Sequence, residues 1–85
     1  MSLRLRPDVS TAETDYGVVL LDERSGDFWQ LNPSGALAMR RLRDGDTVEQ
    51  AAAALAEEFE VGRDEALEDV LTLLEQLRAA GLVAP

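Results

Sequence analysis

The segment Asp27-Phe28-Trp29-Gln30-Leu31-Asn32-Pro33-Ser34-Gly35 constrains the fold of this chain more than any other. Trp29 and Leu31 alternate with Phe28 and Gln30, the period-2 pattern of a strand with two distinct faces. Asn32 then offers a side-chain oxygen to orphan amides, and Pro33 suits a first helical turn, where its missing N–H costs nothing. An aromatic strand therefore runs straight into a capped helix. The rest of the chain must be arranged around that junction.

Upstream the pattern is extended. Leu3 and Leu5 alternate with Arg4 and Arg6 until Pro7 interrupts, which predicts an opening or edge strand. The polar stretch from Asp8 to Asp15 reads as a loop. Tyr16 to Asp22 is β-branched and aliphatic, and Glu23-Arg24-Ser25-Gly26 supplies turn residues before Phe28 to Leu31. As the last strand of such a meander, Phe28 to Leu31 lies at a sheet edge, with unpaired backbone groups along one side.

Downstream the pattern is helical. A first helix from Pro33 to about Arg43 buries Leu37 and Leu42, helped by Ala36 and Met39, and Asp44-Gly45-Asp46 stops it. Thr47 and Gln50 form a capping box that opens a second, Ala-rich helix ending near Phe59. Glu60-Val61-Gly62 breaks that helix, and Asp64 with Glu65 places negative charge at the start of a third. The third runs to about Ala80, Gly81 caps it, and Leu82 with Val83 folds back on the core. Three strands followed by three helices, without repeats or a linker, make one α+β domain over residues 1–85.

Composition narrows the function. With no Cys and no His, the chain has no thiolate nucleophile, no zinc-thiolate site and no imidazole base for Ser10, Ser25 or Ser34. Asp22 with Glu23, or Glu57 with Glu58, are sequence neighbours that point apart, so paired acid/base chemistry is disfavoured. No phosphate loop or metal-spaced cluster is present in the sequence, and neither a cofactor nor catalysis is expected. Eight basic against seventeen acidic residues give a net charge of −9, which repels duplex DNA and anionic membranes. Arg4 with Arg6, and Arg40 with Arg41 and Arg43, are small clusters that read as solvated faces. The N-terminus lacks the apolar core of a signal peptide and no apolar run spans a membrane, so a cytoplasmic protein is expected.

Two surfaces remain as candidates. In the third helix, Leu67, Val70, Leu71, Leu74 and Leu77 share one face at about 100° per residue and read as core. Leu73 sits on the flank of that face, in line with Ala66, Asp69, Gln76 and Ala80. A large apolar residue beside an acid on such a shoulder fits the wall of a groove, and a wide core stripe explains it equally well. The edge strand Phe28 to Leu31 is the other wall. Leu31 packs on the helices, Trp29 either packs or faces a partner, and a peptide completes the sheet by strand addition.

The residues Trp29-Gln30-Leu31-Asn32-Pro33-Ser34-Gly35, Asp44-Gly45, Thr47-Val48-Glu49, Asp69-Val70, Leu73-Leu74 and Leu77 with Gly81-Leu82-Val83 follow one another as in the PqqD-like family. The chain resembles these precursor-peptide recognition domains from about Leu3 to Val83. With Gly17-Val18-Val19-Leu20-Leu21-Asp22 before the hairpin, it is most similar to the free-standing leader-binding form of lasso-peptide pathways. The resemblance implies a winged helix-turn-helix with an N-terminal three-stranded antiparallel sheet. It also implies a non-catalytic adaptor that holds the leader of a precursor peptide as an added strand, between the third strand and the third helix. Carried over residue by residue, the peptide-binding set is Phe28, Trp29, Gln30 and Leu31 with Asp69, Val70, Leu73, Gln76 and Leu77. The implied partners are the precursor peptide, a leader peptidase with a Cys-based catalytic apparatus and a macrolactam synthetase. The peptidase is expected on the Arg40-Arg41-Arg43 cluster or the outer sheet face.

This chain departs from many relatives in carrying Ala38-Met39 where they have a branched or aromatic pair, a change expected to leave the groove untouched. Several relatives also carry an aromatic residue where Leu73 stands, so the pocket here differs in shape. Two other classes compete with the adaptor. A winged-helix DNA regulator is opposed by the net charge of −9 and by a third helix offering only Arg63 and Arg78 as cations. A structural subunit of a peptidase complex is the remaining alternative.

Overall fold

A hairpin, an edge strand and three helices form in the computed structural model, which describes residues 3–84. The strands are β1 (Val9–Thr14), β2 (Gly17–Asp22) and β3 (Phe28–Leu31), followed by helices α1 (Pro33–Arg43), α2 (Val48–Phe59) and α3 (Arg63–Ala79). The sheet is antiparallel in the order β1-β2-β3, so the expected α+β fold is present and β3 lies at an edge.

The first strand is not where the alternation of Leu3 and Leu5 put it. β1 falls within the stretch from Asp8 to Asp15 that reads as a loop. Beyond half-buried Val9, β1 is exposed, because no helix covers either of its faces. A strand wet on both sides carries no apolar alternation, and its sequence looks like a loop. Leu3 and Leu5 do pack against the core, but through the chain's other end: Leu5 bridges Val83. The Arg6 N–H donates to the Leu82 carbonyl at 2.9 Å, and the Ala84 N–H donates to that of Arg4 at 2.8 Å.

The helix signals correspond to real caps. Asn32 Oδ1 accepts from the Gly35 N–H at 2.8 Å, with Pro33 opening α1. The Thr47 hydroxyl accepts from the Gln50 N–H, and Gln50 Oε1 accepts from the Thr47 N–H, closing the capping box of α2. Glu60 terminates α2 in the left-handed region at φ 54°, and Gly81 follows α3 at φ 72°.

The core lies between the inner sheet face and the helices. β2 contributes Val18 and Leu20, α1 Ala36, Ala38, Met39 and Leu42, and α2 Ala51, Ala52 and Leu55. Leu82 completes it from the chain end, while Leu37 is only half buried. In α3 the buried arc is Ala66, Val70, Leu73 and Leu77. The core face expected through Leu71 is thus corrected: Leu71 is 47% exposed and Leu73 only 6%. Small Ala66, at 0% exposure, belongs to the buried arc, and a pattern weighted towards large residues passes over it.

Asp22 is the buried acid of the fold. Its Oδ2 accepts from Arg6 Nη2 at 2.7 Å and its Oδ1 from the Arg24 N–H at 3.0 Å, while Arg24 also meets Asp8 at 3.0 Å. Burial pushes the Asp22 carboxyl up, but the Arg24 and Arg6 hydrogen bonds and the Arg6 charge outweigh it and hold the group below its ordinary value of 3.8. A folded-state value below the unfolded one adds stability that is complete above pH 3.8 and lost as pH falls through the folded value. Asp22→Asn is therefore expected to lower the melting temperature at pH 7. Thermal melts at successively lower pH should show the gap to wild type closing in the acid range.

Candidate functional site

The strand-to-helix junction and α3 enclose a cavity of about 260 Å³. Its lining is Gln30, Leu31, Asn32, Ser34, Gly35, Ala38, Leu55, Asp69, Thr72, Leu73 and Gln76. The floor is apolar, made of Leu31, Ala38, Leu55 and Leu73, and the rim is polar. The volume is below the range of about 300–1,000 Å³ typical of small-molecule sites, and suits an apolar side chain of a larger ligand.

The phase of the sheet ladder decides what β3 offers. The Asp22 N–H donates to the Asp27 carbonyl at 2.9 Å, so this pair is hydrogen-bonded. With Leu20 opposite Trp29 and Val18 opposite Leu31, antiparallel alternation makes those pairs hydrogen-bonded as well. Phe28 and Gln30 fall in the intervening pairs, opposite Leu21 and Val19. Their N–H and C=O groups therefore face the open edge, in two sets about 7 Å apart along the strand.

Side chains follow the same alternation. Trp29 and Leu31 pack partly against the core, beside Leu20 and Val18. Phe28 stands on the outer face with Leu21 and is 69% exposed. Asn32 uses its Oδ1 twice, accepting from the Gly35 N–H and from the Ser34 hydroxyl at 3.0 Å, which leaves its amide NH₂ for a ligand. A Cβ on Gly35 would sit 3.2 Å from that oxygen, so glycine keeps the cap relaxed beside the cavity.

Of the residues expected at a peptide site, Gln30, Leu31, Asp69, Leu73 and Gln76 line this cavity together. Phe28 and Trp29 belong to the adjoining edge strand rather than to the lining. Val70 and Leu77, at 0% and 2% exposure, are buried behind the wall and reach the site only as backing. Leu73, on the flank of the buried face, is part of the core as well as of the cavity floor, so the wide core stripe and the groove wall both describe it.

Asn32, Ser34, Gly35, Ala38, Leu55 and Thr72 also line the cavity, beyond the residues expected there. Thr72 was within reach of helical geometry, lying three residues after Asp69 and four before Gln76. Leu55 comes from α2 and carries no sequence sign of approaching β3. Ala38 bears on the departure from the family pattern: it lines the cavity, so that departure does touch the groove, contrary to expectation. The basic cluster is largely consumed, since Arg40 pairs with Glu13 at 2.8 Å and Arg41 with Asp46 at 2.7 Å.

Among solved structures, the chain is similar to a lasso peptide synthetase B1 complexed with the leader peptide. That likeness has 46% identity and a TM-score of 0.90, over 100% of both chains. It is also similar to TbiB1 in complex with the TbiA(beta) leader peptide, at 26% identity and a TM-score of 0.81, over 94% of this chain and 93% of that one. No curated protein gives a significant match. Residues 17–83 match the family of coenzyme PQQ synthesis protein D, a span that contains β2, β3 and all three helices. The chain belongs to the PqqD family.

Proposed function

We propose that this protein is a non-catalytic adaptor that binds the leader segment of a ribosomally made precursor, of the lasso-peptide class, as a strand added to β3. The observation that carries the reading is the open β3 edge beside an apolar cavity with a polar rim. Backbone groups of Phe28 and Gln30 hydrogen-bond the added strand, and one apolar leader side chain enters the cavity over Leu31, Leu55 and Leu73. Burying such a side chain contributes about 2–3 kcal/mol, and ordering a flexible leader opposes it. Both similar solved structures hold leader peptides, which supports the same role here.

The leader so held is presented to a leader peptidase of the same pathway, and the trimmed product passes to a macrolactam synthetase. No helix is long and apolar enough to cross a membrane among the described residues. The adaptor acts in the cytoplasm, where ribosomally made precursors arise.

Thr72→Arg tests the groove without disturbing the core, since Thr72 is exposed and lines the cavity. Fluorescence polarisation with a labelled leader should show at least about tenfold weaker binding, near 1.4 kcal/mol, with an unchanged melting temperature. Wild-type affinity in that variant would place the leader elsewhere.

A further inference from the structure

The strands leave an uncharged outer face on the side of the sheet away from the helices. It consists of Ser10 and Ala12 from β1, Val19 and Leu21 from β2, and Phe28 and Gln30 from β3. Charge returns only in the connections at its ends, at Asp15 and at Glu23, Arg24 and Asp27. In a chain whose residues are 29% charged, such a face stands apart from the rest of the surface. Leu21 is 38% exposed and Phe28 69%. The two form a non-hydrogen-bonded pair, so their side chains lie close together. Leu21 thus flanks Phe28 on one side. On the other side lies the open edge of β3, where no further strand follows among the described residues.

The size of this face decides what can cover it. Three strands of four to six residues span on the order of 300 Å², well short of the roughly 800 Å² per partner in a stable association. A second copy stacked on the face would gain too little area and would bring a second net charge of −9. The face is continuous instead with the β3 edge, where a fourth strand widens it. The backbone groups of Phe28 that point to the edge bond such a strand, and the resulting pair carries both side chains on the outer face. Their Cβ atoms then stand about 5 Å apart.

We propose that the leader is recognised on both faces of the sheet, and that the leader residue paired with Phe28 is aromatic or β-branched and packs on its ring. This rests on the reading of strand addition at β3. Leader side chains opposite Trp29 and Leu31 point inward, towards the cavity, whereas the residue opposite Phe28 points outward. Aromatic and β-branched side chains gain most from an aromatic cross-strand neighbour. An acidic residue there gains nothing from the ring and is repelled by the net charge of the chain. Phe28 is therefore a specificity residue on the face opposite the cavity.

The test is fluorescence polarisation with a labelled leader peptide of the chain's pathway and with single-alanine versions of it. Phe28→Thr keeps strand propensity and removes the ring, and is expected to weaken leader binding about five- to tenfold at an unchanged melting temperature. Phe28→Tyr should stay within about twofold. One leader position, aromatic or β-branched, should lose affinity on alanine substitution against wild type but not against Phe28→Thr. It should lie an odd number of residues from the position coupled to Thr72→Arg, because the two face opposite ways. An even separation overturns the proposal. Wild-type affinity in folded Phe28→Thr, with binding weakened in Gln30→Pro, overturns the outer-face contact and leaves strand addition standing. Wild-type affinity in both overturns strand addition itself, and the proposal with it.

Discussion

Gly17→Ala is expected to cost about 3 kcal/mol or more, the largest loss of stability of any substitution considered. Two effects combine at this position. Gly17 sits at φ +133°, a conformation that side-chain-bearing residues rarely adopt. A Cβ built there would also lie 1.9 Å from the Leu31 carbonyl oxygen, far inside contact distance. That oxygen belongs to the last residue of β3, directly before the Asn32 cap, and it cannot retreat without moving the junction into α1. A domain of this size has roughly 5–15 kcal/mol in reserve, so one such loss removes from about a fifth to more than half of it.

Gly26→Ala isolates the conformational part. Gly26 has φ +81° but open space around it, so about 1 kcal/mol is expected. Urea unfolding of both variants measures the difference. Equal losses would show that the close approach of Gly17 to Leu31 adds nothing.

The junction around Leu31 and Asn32 was legible because its signals are local. The aromatic alternation, the Asn cap and the Pro at the first helical position each act over a few residues, and all of them appear as expected. The capping box at Thr47 and Gln50 succeeded for the same reason. Local signals failed where tertiary context decided the outcome. β1 is solvated on both faces, so its strand character rests on pairing with β2 and leaves no apolar period. Leu3 and Leu5 have the period but pair with the chain end instead of joining the sheet.

The site was legible in part. Asp69, Leu73 and Gln76 were placed together by helical spacing, and Gln30 with Leu31 by strand alternation. What spacing could not give was the rotation of α3, which buries small Ala66 together with Leu73 and exposes Leu71. Nor could it show that Leu55 and Ala38 close the floor, since that depends on how α1 and α2 meet α3. A consequence is that charged substitutions at Leu73 are poor tests of binding. They place an ion in the core and unfold the domain before binding is measured.

Gln30→Pro is the substitution with the largest expected effect on binding. The Gln30 N–H faces the open edge, so replacing it breaks no bond to β2. Proline is tolerated at an edge strand in that orientation, and the preceding Trp29 is already extended. The folded domain should therefore lose no more than about 1 kcal/mol. An added strand, in contrast, loses a backbone donor and meets the pyrrolidine ring where its own backbone must lie. Together these are expected to raise the leader dissociation constant about hundredfold, or near 2.7 kcal/mol.

Fluorescence polarisation of a labelled leader peptide, titrated in parallel with wild-type and Gln30→Pro protein of matched melting temperature, measures this directly. A hundredfold weaker dissociation constant in the folded variant is the result expected if the leader completes the sheet at β3. An unchanged dissociation constant would contradict strand addition at this edge.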